Sequence, residues 1–316
     1  CFILYILTYA YISGGGSIVA HTIKSIFDFD APIILSGMLF SLGLALCVWY
    51  GTSLVGRLST VLVAGMLISF LLSIHGFVLH VEIRTLFNSK AEYAIYVLAA
   101  VPYFMTSFGY HGCVPSLIKY YSSNVRMVKG CLLFGSVLAL SFYLIWLAAA
   151  LGNISREEFA KISTAGGNIG DLVNALRNKT DATFLSNTLA IFANMAVVSS
   201  FLGVTLGLFD FIADKFNFVD NSYGRFKTAA ITFSPPTIGG LFFPNGFIYA
   251  IGLAGMFACI FGSIVPALAA KRSRLKYGSP KYQVWGGNPL ITIIICYGTL
   301  QFSCYVGAAF NFLPKF

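Results

Sequence analysis

The stretch PYFMTSFGYHGCVPSLIKYY, residues 102–121, is long enough to cross a bilayer, yet its middle carries Gly109, Gly112 and Pro115 around His111. A membrane helix has no water with which to satisfy freed backbone groups. A break at mid-depth is therefore tolerated only where it lines a cavity or a binding site. The freed N–H and C=O groups, backed by the partial charges of the two half-helix ends, can hold a zwitterionic or ionic substrate at the membrane centre. An interrupted span of this kind predicts an all-α integral membrane protein of the transporter type.

Working outward, the composition demands a membrane. Of 316 residues, 58% are hydrophobic and only 10% are charged, against about 25% charged in soluble domains. The seven cysteines show no paired metal-ligand spacing, and all but Cys1 sit inside apolar stretches, so they read as packing residues. The net charge of +9 does not argue for nucleic acid, because the Lys and Arg fall in short loops between apolar spans rather than along one face.

With about 20 apolar residues needed per crossing, nine spans are expected, near 1–20, 31–50, 58–79, 93–120, 128–151, 183–209, 227–244, 246–269 and 289–312. The loops that alternate to one side hold twelve of the twenty Lys and Arg, including Arg57, Lys119, Arg126, Lys129, Lys215, Arg225 and Lys281. The other eight include Lys315 and four residues of a single long loop. The positive-inside rule then puts residue 1 in the cytoplasm and the C-terminus outside. Residue 1 is Cys and opens directly into an apolar span, and only one span is clearly broken, whereas inverted-repeat transporters carry a broken helix in each half. The expectation is a fragment lacking two upstream spans, roughly 90 to 100 residues with their loops. A start codon with its translation signal directly before Cys1 would contradict it.

The long outer loop, 152–182, has Ser155 and Glu158 at capping-box spacing, and Ile169, Leu172, Val173 and Leu176 at helical intervals, so two short helices are expected there. It reads either as a solvated surface loop or as an extracytoplasmic cap over an outward-facing vestibule.

Candidate chemistry gathers in a few places. In the broken span, Phe104, Ser107, Phe108, Gly109 and Tyr110 mix aromatic surface, hydroxyls and free backbone, which suits an aromatic amino acid. Interhelical packing is the plainer reading of the same aromatics. His111 is a titratable group near the bilayer centre, where charge is costly and usually functional; a neutral histidine bonded between helices is the alternative. Asp210 stands one helical turn deeper than Asp214 and is the better proton-relay candidate of the two. In TYAYISGGGSIV, Gly14, Gly15 and Gly16 suit close helix packing, while Tyr9 or Tyr11 can donate a hydroxyl to a carboxylate. Ser199 and Ser200, beside Gly203, suit either close packing or a polar patch that coordinates sodium or relays a proton. Pro235 and Pro236 are expected to kink their span. No HExxH, GxSxG or Walker-type loop is present, so neither an enzyme, a metal site nor a cofactor is expected.

Five segments, LYILTYAYIS (4–13), SFGYHGCVPSLIKYY (107–121), SSFLGVTLGLFDFIAD (199–214), LFFPNGFIYAIG (241–252) and GSPKYQVWGG (278–287), closely resemble bacterial tryptophan permeases of the hydroxy and aromatic amino acid permease family. The resemblance runs across essentially the whole chain. It implies a single transmembrane permease domain over 1–316 whose nine spans are the third to eleventh of an eleven-span, leucine-transporter-type inverted-repeat fold in the bacterial inner membrane. It further implies uptake of tryptophan or a related aromatic amino acid with protons. By the same resemblance, Phe104, Ser107, Phe108 and Tyr110 line the substrate, Tyr9 and Tyr11 approach its carboxylate, and Ser199 with Ser200 matches the serine pair of a sodium site. The glycine-rich first helix of that fold is absent here. A carrier of tyrosine or another amino acid, and a non-transporting channel or binding module, are the alternatives; a channel would need a ring of carboxylates or carbonyls, and none is visible.

Overall fold

The computed structural model describes residues 1–179, 183–277 and 285–314. The segment GSPKYQV at 278–284, with Lys281, and the terminal Lys315 lie outside the described residues, as do residues 180–182. Among the described residues every regular element is helical. In chain order these are α1 (Phe2–Phe27), α2 (Ile33–Tyr50), α3 (Thr52–Leu79), α4 (Ile83–Leu86), α5 (Ala94–Ser107), α6 (Val114–Tyr120), α7 (Val125–Asn153), α8 (Arg156–Thr164) and α9 (Ile169–Arg177). There follow α10 (Thr183–Phe216), α11 (Ser222–Phe242), α12 (Phe247–Cys259), a π-helical turn (Ile260–Ile264), α13 (Val265–Tyr277) and α14 (Gly287–Ala309).

Seven helical stretches among the described residues are long and apolar enough to cross a membrane: α1, α2, α3, α7, α10, the run from α12 through α13, and α14. The expected count was nine, and the two remaining stretches differ for physical reasons. Residues 93–120 are divided into a 14-residue and a 7-residue helix, neither of which is long enough alone. In α11 the apolar run is diluted by Arg225, Lys227, several hydroxyls and two prolines.

The chain divides into two compact units, the first of residues 1–88 and 145–250, the second of residues 89–144 and 251–316. In the first, α1 packs on α2, α9, α10 and α11, and α10 lies along α3. Its centre is Phe201, fully buried, with the ring of Phe40 edge-on at 5.1 Å and that of Phe233 stacked at 6.1 Å. Close approach explains the triple glycine. A Cβ on Gly15 would sit 2.5 Å from the Phe40 ring, and one on Gly16 would sit 2.8 Å from the Gly37 Cα. The ring and backbone of α2 thus occupy the space a side chain would need. Gly15→Ile is expected to cost about 1–3 kcal/mol by overpacking, read as a lower melting temperature in detergent, whereas Gly203→Ala, with open space around it, should not.

Prolines and helix ends are served from far along the chain. Pro235 has no N–H for the Ile231 carbonyl, and Tyr5 Oη donates to that carbonyl at 2.8 Å. The last carbonyls of α2 have no intrahelical donors; Arg225 supplies them, Nε to Trp49 at 2.7 Å and Nη2 to Val48 at 2.9 Å, while its Nη1 pairs with Asp220. The helix α11 is continuous from Ser222 to Phe242 through both prolines.

The segment after α7 forms the two short helices expected of it. Ser155 caps α8 in a complete capping box with Glu158, and Gly170, Val173 and Leu176 form the buried face of α9. The Glu158 carboxylate lies 2.6 Å from Lys179 and accepts the Ser155 N–H, which together hold its pKa at about 2. The depressed value means the charged form is the stabilised one, so the contribution is full above about pH 4.5 and is lost as the pH falls toward 2. Both side chains are about one-third exposed, which limits the effect to about 0.5–1 kcal/mol. Glu158→Gln should lower the stability of the loop by that amount at neutral pH, and its difference from the parent should vanish near pH 2.

Candidate functional site

In the second unit the expected break in residues 102–121 is observed. The helix α5 ends at Ser107; the N–H of Phe108 still reaches the Phe104 carbonyl at 3.2 Å, but Gly109 bonds only to Thr106 and Tyr110 only to Phe108. A 3₁₀ turn at His111–Cys113 follows before α6 resumes. The sequence of Gly109, Gly112 and Pro115 accounts for this: two residues without side chains permit the departure, and Pro115 cannot donate to the His111 carbonyl in a helical register.

Neighbouring helices serve the opened backbone. Tyr143 on α7 donates its hydroxyl to the Ser107 carbonyl at 2.6 Å and meets the Phe108 ring edge-on at 5.3 Å. Thr106 Oγ1 donates to the Ile251 carbonyl at 3.1 Å, and Ser136 Oγ donates to Tyr110 Oη at 2.9 Å. Phe104, Ser107, Gly109 and Tyr110 are exposed and Phe108 is half-buried. The second unit therefore gathers aromatic faces, two hydroxyls and an irregular backbone in one short segment, the donor set that an aromatic amino acid requires. His111 is half-buried, and its Nδ1 is buried without a hydrogen-bond partner among the described residues.

The remaining sequence candidates lie in the first unit. Tyr9 Oη donates to the Phe243 carbonyl at 2.7 Å and Ser13 Oγ to the Pro244 carbonyl, so both are engaged where α11 ends. Tyr11 is half-buried one residue pair further along α1. On α10, Ser199 Oγ donates back to the Ala196 carbonyl at 3.1 Å and Ser200 is half-buried. Asp210 and Asp214 are exposed near the end of α10, and neither joins an ion pair among the described residues. No group of three His, Cys, Asp or Glu side chains comes together among the described residues.

Three features escaped the reading of the sequence. The hydroxyl of Tyr143 serves the break from 36 residues away, a pairing that periodicity cannot encode. The π turn at Ile260–Ile264 has a sequence signal in Pro266, which has no N–H to give the Gly262 carbonyl in an α-helical register. Gln301 on α14 is 1% exposed, and a carboxamide in the middle of a 23-residue apolar helix is a signal in itself.

The chain matches the model of a family described as the tryptophan/tyrosine permease family over residues 1–305. It is 49% identical over 318 residues to the tryptophan-specific transport protein of Pseudomonas aeruginosa (strain UCBPP-PA14), covering 100% of this chain and 76% of that protein. The low affinity tryptophan permease of Escherichia coli (strain K12) is 40% identical over 321 residues, covering 100% of this chain and 77% of the relative. The tyrosine permease of Enterobacter agglomerans is 38% identical over 322 residues, with the same two shares. No solved structure matches.

Proposed function

This chain belongs to the tryptophan/tyrosine permease family, and from that premise we propose that it imports tryptophan by proton symport. It is a multi-pass membrane transport protein and not an enzyme. The interrupted span at 102–121 carries the reading of the substrate. It sets Phe104, Phe108 and Tyr110 beside Ser107 and an opened backbone, and an indole ring with an amino-acid head group needs both kinds of surface. The names of the 40–49% identical relatives support tryptophan over tyrosine; the tyrosine permease at 38% keeps the second aromatic amino acid as the alternative.

The same premise supports nine spans corresponding to the third to eleventh of an eleven-span inverted-repeat carrier, with residue 1 cytoplasmic, the 152–182 loop outside and the bacterial inner membrane as the site of action. In that arrangement the broken span and α11 complete the count that the seven uninterrupted helices begin. From the same premise we propose Tyr9, Tyr11, Ser199 and Ser200 as further substrate-binding residues. A carrier that concentrates its substrate needs a second species moving downhill whose binding differs between inward and outward states. We propose His111 and Asp210 as the titratable groups that take that part.

The test is competition. Uptake of labelled tryptophan into vesicles containing the carrier should be suppressed by excess unlabelled tryptophan far more than by equal tyrosine. Equal suppression would assign a general aromatic carrier, and suppression by tyrosine alone would overturn the tryptophan reading.

A further inference from the structure

Three polar irregularities of the second unit converge on the π turn. The first is Gln301. At 1% exposure it is among the largest fully buried side chains, and both its Oε1 and Nε2 have no hydrogen-bond partner among the described residues. An unpaired carboxamide in an apolar interior forfeits its full desolvation cost at both ends. The second is His111, whose Nδ1 is buried and equally unpartnered. The third is the π turn itself, an inserted residue of the kind that recurs at functional sites.

The packing sets these groups around one another. A Cβ on Gly262, inside the π turn, would run into Met105 Cε and would lie 3.3 Å from His111 Nδ1. Gly262 is therefore the gap through which the imidazole approaches the turn. On the other side, a Cβ on Gly298 of α14 would lie 3.2 Å from Ser263 Cβ and 2.8 Å from Ile264 Cγ1, while Gly252 of α12 faces Tyr305. These two contacts fix α14 antiparallel to the α12–π–α13 run. Gln301 falls between Gly298 and Tyr305, on the buried face that α14 forms with Ile291, Gly298, Gln301 and Cys304. It thus stands level with the start of the π turn. Ser263, buried at 8% exposure, lies in the turn beside Gly298, and among the described residues its hydroxyl has the Met105 sulfur, at 3.9 Å, as its partner.

We propose that Gln301, Ser263 and His111 Nδ1 form a buried water-binding site at the π turn, in which Gln301 is a positioning residue that holds water against the imidazole. Water matches the donor set: one molecule can donate to the Gln301 Oε1 or to an unprotonated ring nitrogen and accept from the Gln301 amide. A water so held accepts from His111 Nδ1 when the ring carries its proton, and donates to it when it does not. The site thereby keeps a partner on Nδ1 in both states of the ring. The other titratable side chains on the surrounding elements are Tyr96 and Tyr103 on α5, Cys131 and Tyr143 on α7, Tyr249 and Cys259 on α12, and Cys296, Tyr297, Cys304 and Tyr305 on α14. No Asp, Glu, Lys or Arg lies on α5, the π turn or α14. The charged residues of α6 and α7 are Lys119 and, in the opening turns of α7, Arg126 and Lys129. This inference rests on the coupling role proposed for His111.

The experiment compares the reconstituted carrier with Gln301→Met, Gln301→Asn and His111→Gln, measuring melting temperature and the pH of half-maximal proton-driven uptake of labelled tryptophan. Methionine keeps the size and removes both polar ends. If the carboxamide were dry, Gln301→Met would relieve an unpaired group and raise the melting temperature. A hydrated site predicts a fall of several degrees, with partial recovery in Gln301→Asn. It also predicts that the pH of half-maximal uptake moves in Gln301→Met, and that Gln301→Met adds no shift in the His111→Gln background. A raised or unchanged melting temperature, or an unmoved pH profile in Gln301→Met while His111→Gln alters it, overturns this site and leaves the coupling reading standing. A pH profile indifferent to His111→Gln removes the coupling role of His111, and this inference with it.

Discussion

Tyr110→Ala is expected to cut tryptophan uptake at limiting substrate by about ten-fold, equivalent to about 1.4 kcal/mol of lost recognition. Ser107→Ala should lower it less, and Phe134→Ala should leave it within about two-fold. The contrast follows from position. Tyr110 stands in the opened backbone, exposed and bonded to Ser136, where a ring, a hydroxyl and irregular main chain meet. Phe134 is 71% exposed on the regular helix α7, with no such backbone beside it. If all three variants transport with the same apparent affinity, the broken span is not where the aromatic substrate binds.

The second large effect concerns coupling. Accumulation of tryptophan should follow an imposed proton gradient without sodium, and removing both titrating candidates, His111→Gln with Asp210→Asn, should abolish accumulation while exchange of tryptophan across the membrane continues. Exchange needs only that the loaded carrier reorients, whereas accumulation needs the second species. Asp210→Asn keeps the side chain's size and removes its charge, so a loss of concentrative uptake in that variant alone would assign the role to α10 rather than to the break. Accumulation driven only by sodium, or unchanged proton-driven accumulation in the double variant, would send the search to other residues.

Much of the local architecture was legible because it has local causes. Gly109, Gly112 and Pro115 announce a break, and the chain leaves the helix there. Ser155 and Glu158 announce a capping box, and it forms. The run Gly14 to Gly16 announces close packing, and the Phe40 ring and Gly37 backbone lie against it. What was illegible is long-range. Nothing near Arg225 says that it will cap α2 across 176 residues, and nothing near Pro235 says that Tyr5 will serve the carbonyl the proline frees. The span count suffered from the same limit: apolar length alone cannot say whether 93–120 is one crossing or two short helices, because the break that divides it also makes each piece too short to qualify. For the site, residue types in the broken span were readable, but the Tyr143 bond to Ser107 and the orphaned carboxamide of Gln301 depend on partners brought by other helices.

The central claim, that this chain is a tryptophan carrier working by reorientation, is tested most directly by counter-flow. Vesicles containing the carrier are preloaded with unlabelled tryptophan and diluted, without an ion gradient, into a trace of labelled tryptophan. A carrier predicts a transient accumulation of label above its external concentration, driven by exit of the unlabelled substrate through the same site. Simple equilibration of the label with no overshoot, unaffected by the preload, would describe a channel and contradict the account.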